Sequence, residues 1–357
     1  MKFKYLALLV SAGLIFAGCN NKDNNNQDVN QKNQVSTSEE GLGEKSENSK
    51  KLVYTSFYPI YDMTKQIGGD KIEVENLGSL ETEAHDWEAS AKDLANLNEA
   101  DLLIINGAGM ESWKDSVSGS SDVEILDTSK DLDLIKTDEE DDHDHDDHED
   151  DHDDHDDHDD HEDADHKDHE DADHDDHDHH HHGEFDPHTW LSPSMGKDQA
   201  KVIYEKLAEL DPENKDYYKA HYDKLAGELD QIIKEYKEKF ASKEDNEFVV
   251  PHEAFGYLCR EFDLEQIPLT GITSTEEPDA KTMQEVTDKV KEEDIDTIFY
   301  EKGGSSKAAQ AIAIEIDGKA VELSTLEFVS KEDLENEVHY QDLIGENLES
   351  IYQSLKK

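Results

Sequence analysis

Pro212-Glu-Asn-Lys-Asp-Tyr-Tyr-Lys-Ala-His-Tyr-Asp-Lys-Leu-Ala-Gly-Glu-Leu-Asp-Gln-Ile-Ile-Lys-Glu-Tyr-Lys-Glu-Lys-Phe240 carries one periodic signal from end to end. Tyr218, Tyr222, Leu225, Leu229, Ile232 or Ile233, Tyr236 and Phe240 recur at spacings of three and four, which lays a single apolar stripe along one helix. At 1.5 Å per residue that helix is roughly 43 Å long. Asp211 and Pro212 open it, because Asp can cap a first turn and Pro fits where no amide donor is required. A helix of this length can brace two bodies.

The sequence on either side supplies them. Upstream, a strand at residues 51–56 precedes a helix at 59–67, stopped by Gly68 and Gly69. A strand at 71–77, a helix at 88–98, the buried strand Asp101-Leu-Leu-Ile-Ile-Asn106 and a strand at 123–126 follow. A helix at 194–210 leads into the long one. Downstream, strands at 248–250, 266–269, 297–300 and 319–323 alternate with helices at 253–262, 279–293 and 305–315, and an amphipathic helix at 333–355 ends the chain. Such alternation predicts mostly parallel sheets covered by helices. The expected fold is α/β: two α/β lobes with mostly parallel sheets, residues 51–193 and 242–357, joined by linking helices at 194–241 that include the long rigid one. Ligands of such folds lie outside the carboxyl ends of the strands.

Charge separates one segment from this body. The 357 residues hold 92 Asp and Glu against 34 Lys and Arg, a formal net charge of -58. Residues 138–182 alone contain 27 acidic residues, 15 His, one Lys and two Ala. No side chain there is larger and apolar enough to offset ordering, so a disordered loop is predicted. Neither the loop nor the acidic remainder would be drawn to a phosphate backbone, which argues against nucleic-acid binding.

At the amino end Lys2 and Lys4 precede an apolar run, residues 5–16, too short for a spanning helix. It reads as a signal peptide. The following Ala-Gly-Cys19 resembles the lipobox of bacterial lipoproteins, which makes residues 1–19 the signal and Cys19 the lipidated first mature residue. A plain secretory signal with an incidental Cys is the alternative. Residues 20–50, rich in Asn, Gln, Ser and Lys, read as a disordered tether. With Cys19 lipidated, Cys259 has no intrachain partner.

Five His lie outside the acidic loop: 85, 188, 221, 252 and 339. His85, His188 and His252 each follow a strand or adjoin a helix start, the places from which loops converge on a cleft. His221 and His339 fall within predicted helices and read as ordinary surface residues. Three imidazoles with one carboxylate fill a tetrahedral zinc shell.

From Lys51 onward the chain resembles the zinc and manganese cluster of ABC-transporter substrate-binding proteins, most closely its zinc branch. The resemblance is carried by Asp186-Pro-His-Thr-Trp190 with Leu191-Ser-Pro193, by Val250-Pro-His-Glu-Ala-Phe-Gly-Tyr257, and by His85-Asp-Trp-Glu-Ala-Ser90. It implies ligands His85, His188 and His252, with a carboxylate after a late strand as the fourth. Ser324-Thr-Leu-Glu327 occupies that place, with Thr325 where the family commonly has Pro, so Glu327 is the candidate and Glu301 its competitor. Asp186 and Glu253 are candidate acceptors for imidazole N–H groups. Three nitrogens and one oxygen suit zinc, whereas manganese prefers more carboxylates; copper and nickel stay open on affinity grounds.

The loop's His143, His145, His148, His152, His155, His158, His161, His166, His169, His174, His177, His179, His180, His181 and His182 form alternative imidazole and carboxylate sets for weak metal binding. Ending six residues before His188, the loop reads as an antenna that concentrates divalent cations at the cleft mouth. The function implied is an extracytoplasmic, lipid-anchored zinc carrier, expected to be a monomer, that holds one tight Zn2+ and delivers it to a membrane ABC permease. A carrier of manganese or another divalent metal, an adhesin or a zinc reservoir are rivals. A zinc hydrolase is opposed by the closed ligand set and by the lack of His-Glu-x-x-His and Gly-x-Ser-x-Gly motifs.

Overall fold

The computed structural model describes residues 50–81, 84, 85, 87–137, 183–272 and 277–355. The expected signal peptide, the expected tether up to residue 49 and the His/Asp-rich segment therefore lie outside the described residues. Among those described, no helix is long and apolar enough to cross a membrane.

In the first lobe β1 (Lys51–Thr55), α1 (Tyr58–Gly68), β2 (Ile72–Asn76), α2 (Ala91–Leu97), β3 (Leu102–Ile105), α3 (Lys114–Ser118) and β4 (Ile125–Asp127) follow in order. The strands form a four-stranded, all-parallel sheet in the order β2-β1-β3-β4. A 3-10 turn at Thr189–Leu191 leads into α4 (Pro193–Leu210), a second at Pro212–Asn214 into α5 (Lys215–Phe240). The second lobe repeats the plan. Its β5 (Glu247–Val250), α6 (Gly256–Phe262), β6 (Glu265–Pro268), α7 (Ala280–Glu292), β7 (Thr297–Glu301), α8 (Lys307–Glu315) and β8 (Lys319–Leu323) build a parallel sheet ordered β6-β5-β7-β8. Helices α9 (Lys331–Glu335) and α10 (Tyr340–Ser354) end the chain. Both lobes thus use one strand order, and a long helix connects them.

Several boundaries differ from the sequence reading, each for a local reason. The helix expected at 88–98 starts at Ala91, because the Ser90 hydroxyl accepts from the Asp93 amide and Asp93 accepts from the Ser90 amide, a capping box. Pro212–Asn214 forms a tight 3-10 turn, so the 26-residue α5 is about 39 Å long. The helix expected from 253 begins at Gly256. The single helix expected at 333–355 is two, divided by Glu337 at φ 53°. A left-handed residue cannot continue an α-helix. His339 then caps α10, its amide donating to Asp342.

The core explains why the lobes act as one unit. A central apolar cluster joins Val53, Phe57, Ile60, Met63 and Trp190 of the first lobe to Phe248, Val250, Phe255 and Phe299 of the second. Leu225, Leu229, Tyr236 and Phe240 from α5 and Tyr340, Leu343, Ile344 and Leu348 from α10 belong to it. Two smaller clusters lie apart from it, Leu77, Leu97, Leu103, Ile105, Trp113 and Val117 in the first lobe and Val249, Ile267, Val286, Val290, Ile298 and Ile312 in the second. Polar contacts reinforce the junction: Tyr340 donates its hydroxyl to the Trp190 carbonyl at 2.5 Å and its amide to Asp62 at 2.8 Å. Gly196 allows this approach, since a β-carbon there would lie 2.0 Å from the Tyr340 hydroxyl. Relative motion of the lobes would have to shear a close-packed core, so a wide hinge is costly.

Candidate metal centre

Loops beyond the strand ends of both sheets bring four side chains together. One ligand atom from each of His85, His188, His252 and Glu327 lies within 4.8 Å of the others. Nε2 of His188 is 3.2 Å from Nε2 of His85 and 3.4 Å from Nε2 of His252. Glu327 Oε1 is 3.5 Å from His85 Nε2 and 3.8 Å from His188 Nε2. Donors about 2.05 Å from a tetrahedral zinc lie about 3.3 Å from one another. Several edges of the cluster match that figure without a change of backbone.

His188 is fully buried, and its neighbours fix the ring. Asp186 Oδ1 accepts from the His188 amide at 2.9 Å and stands 2.8 Å from Nδ1. An oxygen already accepting one N–H takes Nδ1–H as its second donor, so Nε2 presents its lone pair to the cluster. Burial drives the His188 pKa well below the ordinary value, and His85 and His252 lower it further. Burial also pushes Asp186 up to about 7, against the amide bond and the imidazole charges that pull it down.

The Asp-Pro-His segment is itself anchored. Asn106, at the end of β3, donates to the Pro187 carbonyl at 2.8 Å and accepts from Thr189 at 2.9 Å and Gln199 at 2.8 Å. Tyr257 donates to the Asp186 carbonyl at 2.7 Å and accepts from the Ile135 amide at 3.0 Å. Gly256 is needed beneath it, because a β-carbon there would come 2.9 Å from Asp186 Oδ2. Thr137 and Gly183, the described residues flanking the His/Asp-rich segment, are joined by a 2.8 Å hydrogen bond, and Lys136 pairs with Phe185. The two described ends flanking that segment therefore meet at one place, five residues from His188.

His252 follows β5 by two residues, and its Nδ1 faces Glu301 Oε2 at 3.3 Å. Burial lowers its pKa, but the hydrogen bond and charge of Glu301 outweigh this and the net shift is upward. Glu301 moves in the opposite sense: burial raises it, and His252 more than compensates. A neutral His252 keeps its proton at Nδ1 for Glu301, leaving Nε2 for the cluster. Two facing lone pairs, on His188 and His252 at 3.4 Å, are an arrangement that a cation between them stabilises.

Glu327 is buried in a shaped turn: Leu326 has φ 64°, its amide donates to Ser324 Oγ, and Asn347 holds Ser324 through its amide and carbonyl. Trp190 Nε1 donates to the Thr325 carbonyl at 2.7 Å, and the Val329 amide to Leu80, which ties this turn to the loop leading to His85.

The structure thus brings together all four residues singled out from sequence. Glu301, the competing carboxylate, lies on the Nδ1 side of His252, away from the converging Nε2 atoms. Glu253 is exposed, and the carboxylate that faces His252 Nδ1 is that of Glu301. His221 donates its Nδ1–H to the Gln66 carbonyl, 3.0 Å away, and packs on Tyr217. His339 is not an ordinary surface residue of a helix: it caps α10 and binds Asp62 at 3.0 Å. Asn106, Trp190 and Tyr257 support the centre but escaped the sequence reading; all three sit at strand ends or within the quoted motifs, the one signal that marked them.

Two parallel-sheet lobes with a closed, nitrogen-rich metal centre between them define a metal-specific substrate-binding protein. Residues 53–354 match the family described as zinc-uptake complex component A, periplasmic, and the chain belongs to that family. It is 35% identical over 313 residues to the high-affinity zinc uptake system protein ZnuA of Bacillus subtilis, covering 87% of this chain and 89% of that one. Among solved structures, it is similar to the laminin-binding protein of Streptococcus agalactiae, described as bifunctional with adhesin and metal-transporting activity (TM-score 0.69, 30% identity, 86% of this chain and all of that one). The Zn(II)-bound ZnuA-like domain of Streptococcus pneumoniae AdcA superposes with a TM-score of 0.67 at 26% identity, over 87% of this chain and all of that domain. The chain is an extracytoplasmic metal-binding component of an ABC transporter, not an enzyme.

Proposed function

We propose that this chain carries one Zn2+ held by Nε2 of His85, His188 and His252 and by the Glu327 carboxylate, and delivers it to a membrane ABC permease. The convergence of these four donors, with several pairs at the spacing of a tetrahedral site, carries the reading. Zinc has no directional demand beyond four ligands, and three imidazoles with one carboxylate leave no open position for water. The ion is cargo. Glu301 favours the protonated His252 ring, and zinc at Nε2 displaces the Nε2 proton while Nδ1–H stays bonded to Glu301, so capture is coupled to proton release.

Cys19 carries the lipid that anchors the protein outside the membrane, with residues 20–50 as its tether. Residues 138–182 concentrate zinc beside His188 through many weak imidazole and carboxylate sets. Because the lobes share one core, release proceeds by movement of ligand-bearing loops at the permease rather than by wide opening.

Calorimetry and elemental analysis on the mature chain, intact and lacking residues 138–182, test this reading. One tight zinc above a weak multivalent background is expected for the intact protein, and the tight ion alone after deletion. His188→Ala should abolish the tight event. Many equivalent ions with no distinct tight one would make the protein a reservoir, and unchanged uptake at limiting zinc after the deletion would remove the antenna role.

A further inference from the structure

Glu301 is the last residue of β7, and its two carboxylate oxygens reach two different ligand-bearing loops. Oε2 faces His252 Nδ1 at 3.3 Å, and Oε1 accepts a short hydrogen bond from the Thr325 hydroxyl. Thr325 is buried, and its carbonyl accepts the Trp190 indole N–H from the segment that carries His188. One step further, Leu326 takes the left-handed φ of 64°, a conformation that a branched side chain adopts only when its surroundings enforce it. Thr325 is thus held at both ends, by Glu301 within its own lobe and by Trp190 from the other.

We propose that Glu301 is a positioning residue of the metal centre, orienting His252 directly and Glu327 through Thr325, and that it sets the rate at which the ion leaves. This rests on the zinc-site reading above. A carboxylate bonded to the outer nitrogen of a metal-bound imidazole fixes the ring and its tautomer. Here the same group also clamps the turn that presents the fourth ligand. Loss of the clamp frees two of the four ligands together, whereas each side chain alone would free one. The hydrogen-bonded path from Trp190 through Thr325 and Glu301 to His252 makes the 324–327 turn the place where a push from outside would open the site.

The test is zinc release from the loaded, full mature chain into excess chelator, followed by stopped flow, with the visible spectrum of the Co(II)-substituted protein as a second readout. Glu301→Ala should accelerate release about 10- to 100-fold, the usual loss of affinity on removing such a partner expressed as a faster off-rate, and alter the tetrahedral Co(II) bands. Thr325→Val should accelerate it less, and Thr325→Ser, which keeps the hydroxyl, should restore the wild-type rate. Because Thr325 acts through Glu301, the double variant Glu301→Ala with Thr325→Val should release no faster than Glu301→Ala alone. Additive effects would mean two separate structural roles and overturn the proposal, as would a Glu301→Ala rate within twofold of wild type. Should Glu301→Ala fail to fold, the Thr325→Val and Thr325→Ser pair decides: equal rates overturn the clamp. A wild-type protein without tetrahedral Co(II) bands would instead refute the four-ligand centre itself.

Discussion

Glu327→Gln isolates the charge of the fourth ligand from its shape. The side chain is fully buried, with Oε1 at 3.5 Å from His85 Nε2 and 3.8 Å from His188 Nε2. Glutamine fills the same volume and presents a neutral carbonyl oxygen to the ion. Removing one member of a buried charge pair costs about 3–5 kcal/mol, and about 1.4 kcal/mol is one decade of affinity. Zinc should therefore bind roughly 140- to 4,000-fold more weakly. Competition against chelators of graded affinity measures this directly. The same loss appears in melting: at fixed excess zinc, a 100-fold weaker site forfeits about 2.7 kcal/mol of ligand stabilisation. The zinc-induced rise in Tm should shrink by several degrees accordingly, while far-UV circular dichroism of the metal-free variant matches wild type. A variant whose zinc affinity stays within threefold of wild type would refute Glu327 as a ligand and return the assignment to Glu301.

Zinc affinity should fall as pH drops from 7.5 to 5.5, because Glu301 holds the His252 pKa above its ordinary value and the ion must displace the Nε2 proton of the protonated ring; His188, lowered by burial, is already neutral and adds nothing in this window. Calorimetry in buffers of different ionisation enthalpy should count the released proton. The His339–Asp62 contact joins α10 to α1, and the hydrogen bond to Asp62 raises the His339 pKa against partial desolvation. Its stabilising contribution is full below the unfolded value and fades as pH rises through the raised one, so His339→Asn should lower stability at pH 5.5 more than at pH 8.5 in urea titrations. Gly196→Ala forces a β-carbon to 2.0 Å from the Tyr340 hydroxyl, and such overpacking should cost about 1–3 kcal/mol, read as a lower urea midpoint. Cys259 is buried, and burial raises its thiol pKa. Its alkylation should be slow in the folded protein and fast in denaturant.

Which properties could be read along the chain follows from the range of the forces involved. Strand and helix order was legible because period-two and period-3.6 patterns and glycine stops act over a few residues, and the alternation they produce admits few topologies. His85, His188 and His252 stood out for the same reason: each sits in a loop next to an element end, within a local motif. Where local signals competed, the reading failed. Glu337 carries no mark of the left-handed turn that divides the last helix, and His339, read as a surface residue there, finds Asp62 277 positions away.

Sequence alone determined the residue types at the centre, the α/β alternation and the segregation of 15 histidines into one acidic segment. Tertiary structure decided that Nε2 atoms 64 and 103 positions apart meet at 3.4 and 3.2 Å. It also decided that Glu301 serves His252 from behind and that one core spans both lobes. Those outcomes depend on packing between distant segments, where a displacement of an ångström separates a metal ligand from a bystander, and no pattern along the chain encodes a distance of that kind.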